Sequence, residues 1–137
     1  MAFAGINYVA VILAAIAAFA VGGIWYGVLG KRWMAALGKS EEDLKRRGPP
    51  TPVRMGIAFV ADLVMAYMLA GLIGHLGQVT PASGMISAFF IWIGFVITTQ
   101  TVNYTFQGRR WSLTLIDGGH WLVALLVVGA IIGAMGV

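Results

Sequence analysis

Residues 6–30 read INYVAVILAAIAAFAVGGIWYGVLG, with no charged side chain among them. An α-helix rises about 1.5 Å per residue and the hydrocarbon core of a bilayer is about 30 Å thick, so a run of this length crosses it once. The small residues in it are as informative as the apolar ones. Ala10, Ala14, Ala18 and Gly22 recur at every fourth position, and Gly23-x-x-x-Gly27 comes next. Positions four apart share a helix face, and a face without side-chain bulk lets helices approach closely in lipid. The segment AAIAAFA resembles a signal-peptidase site, but no Lys or Arg precedes the run and it continues to Leu29. An uncleaved spanning helix is therefore expected.

Three further apolar runs lie at about 55–77, 85–107 and 112–135. Together they predict one domain over residues 1–137: an all-α membrane protein with four transmembrane helices in an antiparallel bundle. The composition excludes the alternative of a soluble domain. A chain of 137 residues that is 60% hydrophobic and 10% charged cannot cover its own surface with polar groups. There is no Cys, which removes disulfides and thiolate chemistry.

All nine Lys and Arg fall in two connecting stretches. Lys31, Arg32, Lys39, Lys45, Arg46, Arg47 and Arg54 lie between the first and second spans; Arg109 and Arg110 lie between the third and fourth. The connection GQVTPASG, between the second and third, has no charge. Positive loops stay in the cytoplasm, so both termini are expected outside, in the inner membrane of the cell. The net charge of +4 thus belongs to a membrane surface, and no nucleic-acid partner is expected. The loop 31–54 also contains Ser40 and Asp43 at capping-box spacing, ahead of Gly48-Pro49-Pro50, which predicts a short helix within it. Trp33, beside Lys31 and Arg32, suits the headgroup level.

The second and fourth spans repeat the small-residue pattern. Asp62 shares a four-residue spacing with Ala66 and Ala70, and the fourth span ends in Gly129-x-x-x-Gly133. These faces, with Ala18, Gly22, Gly23 and Gly27 in the first span, are expected to pack helix on helix, within one chain and between copies. A homo-oligomer, most simply a dimer, is expected, with a larger membrane complex as the wider possibility.

Polar residues inside the spans are the functional signal, because lipid tolerates them only when they face protein. Asp62 lies about 12 Å in from Arg54, and Asp117 about 10 Å in from Arg110, with His120 one turn deeper. Asn103 and Gln100 lie about 9 and 13 Å from Arg109 on the third span. Trp25 and Tyr26 approach the same depth from the first span. These seven residues are expected to form one polar layer in the cytoplasmic leaflet. Asp117 and His120, three apart on one helix face, are placed to exchange a proton. The set lacks the His spacing of a metal site and the G-x-S-x-G elbow of a hydrolase, so no metal, cofactor or enzymatic activity is expected.

The opening run resembles a bacterial membrane family catalogued as domain of unknown function 1761. The likeness rests on Asn7 with Ala10-Val11, on Gly23, on Trp25-Tyr26, and on Gly30-Lys31 with Trp33. SEEDL in the loop and DGGHWLVALLVVGAIIG in the fourth span carry it through nearly the whole chain. It implies a four-helix membrane fold and no particular activity. Two readings stay open. The layer binds or transports a small solute or protons, or it is polar glue in a structural or accessory subunit. The second gains from the outer half of the spans: from Ala66 to Leu72 and from Val123 to Ile132 nothing would carry an ion onward.

Overall fold

The computed structural model describes residues 2–137. Four helices are long and apolar enough to cross a membrane: α1 (Tyr8–Leu37), α3 (Thr51–Leu76), α4 (Pro81–Phe106) and α5 (Trp111–Met135). A short helix, α2 (Glu41–Arg47), lies between α1 and α3. No strand occurs among the described residues.

The helix ends obey local rules. Asn7 caps α1 by accepting the Ala10 N–H at 3.1 Å. At its other end α1 runs past the expected boundary near residue 30, through Lys31 and Trp33 to Leu37, which corrects the loop 31–54. Nothing in KRWMAAL breaks a helix. The stop comes at Gly38, whose φ of 69° is left-handed and whose N–H bonds the Ala35 carbonyl, while Lys39 reaches back to Met34. The extension has a consequence: Trp33 stands two turns beyond Tyr26 on one helix face, the rings meeting edge to face at 5.7 Å.

The Ser40–Asp43 pair forms a full capping box at the start of α2. The Ser40 backbone and hydroxyl, with Arg46, hold the Asp43 carboxyl below the usual carboxylate range. Arg54, at the start of α3, donates to the Pro49 carbonyl at 2.9 Å and also to the Leu44 carbonyl, latching α2 onto α3. The third span begins at Pro81, after a Thr80–Ser83 capping box, rather than near residue 85.

Contacts between the helices set their order. Asn7 Nδ2 donates to the Met135 carbonyl at 3.2 Å, Gly133 abuts Thr80, and Gly74 faces Val137. The start of α1, the end of α3, the start of α4 and the end of α5 therefore share one end of the molecule. The two basic connections lie at the other.

α5 is central, packing on α1 and α4 and touching α3. Its closest approach is to α4. Gly84 and Gly129 meet backbone to backbone, so that a methyl on either would run into the other's carbonyl, and Ala88 completes the crossing. Such contact gathers dispersion and Cα–H···O interactions that larger side chains would prevent. Ala14, Ala18, Ala66 and Ala70 are buried around the same core, with Leu69, Ile73, Val128 and Ile132 among its larger apolar residues. Gly129 and Gly133 are thus consumed inside the chain. Gly23 and Gly27 are exposed, with nothing packed against them.

Candidate functional site

α1 and α4 barely touch. At the end of the molecule that bears the basic connections, both contribute residues to one cavity. The space between them, closed at the back by α5, is a cavity of about 500 Å³. Three sequence features make it.

The first is the segment Asp117-Gly118-Gly119-His120. Gly119 leaves room for the Trp25 ring, which would stand 2.9 Å from a methyl placed there, and Gly118 leaves room for Ile97. The indoles then anchor to α5. Trp25 Nε1 donates to the Ile116 carbonyl at 2.9 Å, and Trp92 Nε1 to the Gly118 carbonyl at 2.8 Å. Both half-buried indoles have their donors satisfied, and α1 and α4 are pinned on either side of Asp117.

The second is a π-helical turn in α4, Trp92–Val96, where Ile97 donates back to the Trp92 carbonyl. A π-bulge inserts an extra residue into the turn and rotates the remainder of the helix. Threonines reoccupy the disturbed carbonyls: Thr98 Oγ1 donates to Gly94 at 2.9 Å and Thr99 Oγ1 to Phe95 at 2.6 Å. Beyond the bulge, Gln100, Asn103 and Tyr104 all line the cavity.

The third is the continuation of α1, which sets Trp33 above Tyr26 as the outer wall.

Asp117 is the centre of this arrangement, 9% exposed. Tyr26 donates its hydroxyl to Oδ1 at 2.6 Å and Tyr104 to Oδ2 at 2.6 Å. One carboxyl group thereby joins α1, α4 and α5. Both bonds lie at the short end of the O–H···O range. Gln100 lies beside the Tyr104 hydroxyl, yet neither its amide nitrogen nor its oxygen makes a hydrogen bond of good geometry among the described residues. Gln107 and Trp121 complete the wall.

Of the seven residues read from the sequence as one layer, Tyr26, Gln100, Asn103 and Asp117 line the cavity. Trp25 anchors its back wall without lining it. His120, 7% exposed, stands behind the wall, its ring 5.1 Å from Tyr26 and 4.5 Å from Trp121. Gly22 makes room for it: a methyl there would come 3.2 Å from Nε2. Its Nδ1 has no hydrogen-bond partner among the described residues.

Asp62 corrects the single-layer expectation. It is buried, at 4% exposed, but α3 contributes no residue to the cavity. Depth along a helix fixes height in the membrane and leaves the direction round the bundle open. α3 packs on the sides of α1 and α5 away from the cleft.

Sequence reasoning does not single out Tyr104, although its four-residue spacing from Gln100 places both on one face. Trp121 stands four residues after Asp117 in the same way. Among the described residues no group of three His, Asp or Glu is close enough to hold a metal ion.

The family described as protein of unknown function (DUF1761) matches residues 9–133. No curated protein matches the chain, and no solved structure does.

Proposed function

This chain belongs to the DUF1761 family, and from that premise we propose that it binds a small polar solute at the cavity around Asp117. One observation carries the reading: a carboxyl group inside a membrane helix has both oxygens fixed by phenols from two other helices, on the wall of a cavity of about 500 Å³. Intramembrane acids are expensive and mark ligand and ion sites by default. A pocket of this volume lies in the range of small-molecule sites.

In this reading the site recognises and does not catalyse. Thr99 directs its hydroxyl at the Phe95 carbonyl, and His120 stands behind the wall rather than beside a nucleophile. The exposed Gly23–Gly27 face is assigned to contact with a second copy. The chain has no Cys, so a single Cys at Asn103 reports on the cavity alone. In nanodiscs it should react with a water-soluble maleimide, at a rate that falls when a bound solute covers it. A thiol that stays unreactive, as in a dry polar layer, would support the accessory-subunit reading instead.

The positive-inside bias supports an orientation with both termini outside and the cavity opening to the cytoplasm, in the inner membrane. A Cys at Ala82 should be labelled from outside intact cells and one at Glu42 spared. The reverse pattern would overturn the orientation and with it the side on which the cavity opens.

A further inference from the structure

We propose that the solute held beside Asp117 is a small organic cation of the alkylammonium type. The inference rests on the solute-binding reading above and specifies its ligand.

Charge comes first. Asp117 is the one residue of formal charge in the cavity lining among the described residues; no Lys or Arg belongs to it. Arg109 is held at the rim, its Nε 3.4 Å from Oε1 of the lining residue Gln107, and the His120 imidazole stands behind the wall, 5.1 Å from the Tyr26 ring, without lining the cavity. A carboxylate has about four acceptor positions, and the two phenols use one on each oxygen. Acceptor capacity remains, and the phenols stop the side chain from swinging towards the basic connection. The group is held in place to attract a cation.

The walls agree with this. Four aromatic rings, Tyr26, Trp33, Tyr104 and Trp121, line the same cavity. Aromatic rings carry negative potential on their faces and attract organic cations, most readily those that are weakly hydrated. A divalent metal ion is a poor fit, since the one lining carboxylate would offset only half of its charge and, among the described residues, no group of three His, Asp or Glu is close enough to hold it. An anion would meet a carboxylate and four aromatic side chains. Gln100 and Asn103 add an amide edge for a polar substituent on the cation, and the Gln100 carboxamide is otherwise without a well-formed hydrogen bond.

The test compares three probes of similar shape and different charge: tetramethylammonium, neopentyl alcohol and pivalate. Two readouts serve, protection of the Asn103→Cys thiol in nanodiscs and tryptophan fluorescence of the otherwise native chain, since Trp33 and Trp121 line the site. Tetramethylammonium should bind about tenfold more tightly than neopentyl alcohol, and pivalate more weakly than either. Asp117→Asn should erase the preference of cation over alcohol. Trp121→Leu should reduce it in a chain that keeps its acid. Equal or tighter binding of the alcohol or of pivalate overturns the cation assignment and leaves the solute site standing. If no probe binds while the thiol still reacts with maleimide, the assignment again falls and the cavity reading survives. An unreactive thiol with no probe binding removes both.

Discussion

Gly129→Leu should abolish the folded chain, whereas Gly23→Leu should leave its thermal stability within a few degrees of wild type. Both glycines belong to small-residue patterns that the sequence presents alike. In the structure, any side chain on Gly129 meets the Gly84 carbonyl, which is backbone and cannot turn aside. Overpacking a well-fitted core costs about 1–3 kcal/mol when side chains yield, and more when helices must separate. Since α4 and α5 share the most extensive contact in the molecule, separating them costs most of what holds the third span in place. Thermal unfolding in mild detergent, monitored by circular dichroism or by aggregation, measures the difference. A Gly129→Leu chain that melts with the wild type would refute the crossing. Gly23 has open space around it. Leucine there should act only on association between copies, read by cross-linking, and an unchanged cross-linking pattern would remove that face from the dimer reading.

The fold was legible because hydrophobic run length is a direct consequence of bilayer thickness, and the chain has four such runs. Helix ends were less so. KRWMAAL reads as loop because it is charged, but charge alone does not end a helix, and the left-handed Gly38 does. The site was half legible. Residue chemistry picks out Tyr26, Gln100, Asn103 and Asp117, and the structure gathers them. Asp62 has the same chemistry at a similar depth, and lies elsewhere because direction round a bundle depends on which helices touch. No single-chain spacing encodes that. The π-turn at Trp92–Val96 was illegible for a related reason: it rotates the second half of α4 relative to an ideal helix, so periodicity counted through it from the first half misjudges which way Gln100, Asn103 and Tyr104 face together. The glycines of Asp117-Gly118-Gly119 look like small residues for helix approach. Their neighbours are in fact side chains, Ile97 and Trp25, with the anchoring indole of Trp25 over Gly119.

The second large effect belongs to Asp117, where removing one group should cost more than removing three. Asp117→Leu leaves the Tyr26 and Tyr104 hydroxyls, both facing a partly buried wall, without their acceptor. A stranded polar group costs about 1–3 kcal/mol, and hydrogen bonds between membrane helices fall nearer the lower figure, so a loss of about 2 kcal/mol is expected for the pair. Asp117→Asn should lose less than about 1 kcal/mol, since the amide still accepts from one phenol and can donate to the other. The triple variant Asp117→Leu, Tyr26→Phe, Tyr104→Phe should recover part of the stability lost in Asp117→Leu, because with both sides of the contact apolar nothing is left unsatisfied. Thermal melting of the wild type, Asp117→Leu, the double variant Tyr26→Phe, Tyr104→Phe and the triple variant gives the cycle, and a triple variant less stable than Asp117→Leu alone would show that the phenols are held by something other than this carboxyl. The same chains separate a site from glue. Polar glue is fully replaced by a packed apolar contact, so a structural role predicts that the triple variant regains both stability and its place in any assembly. A binding role predicts that stability returns while tetramethylammonium no longer registers in tryptophan fluorescence, since the acid that attracts the cation is gone.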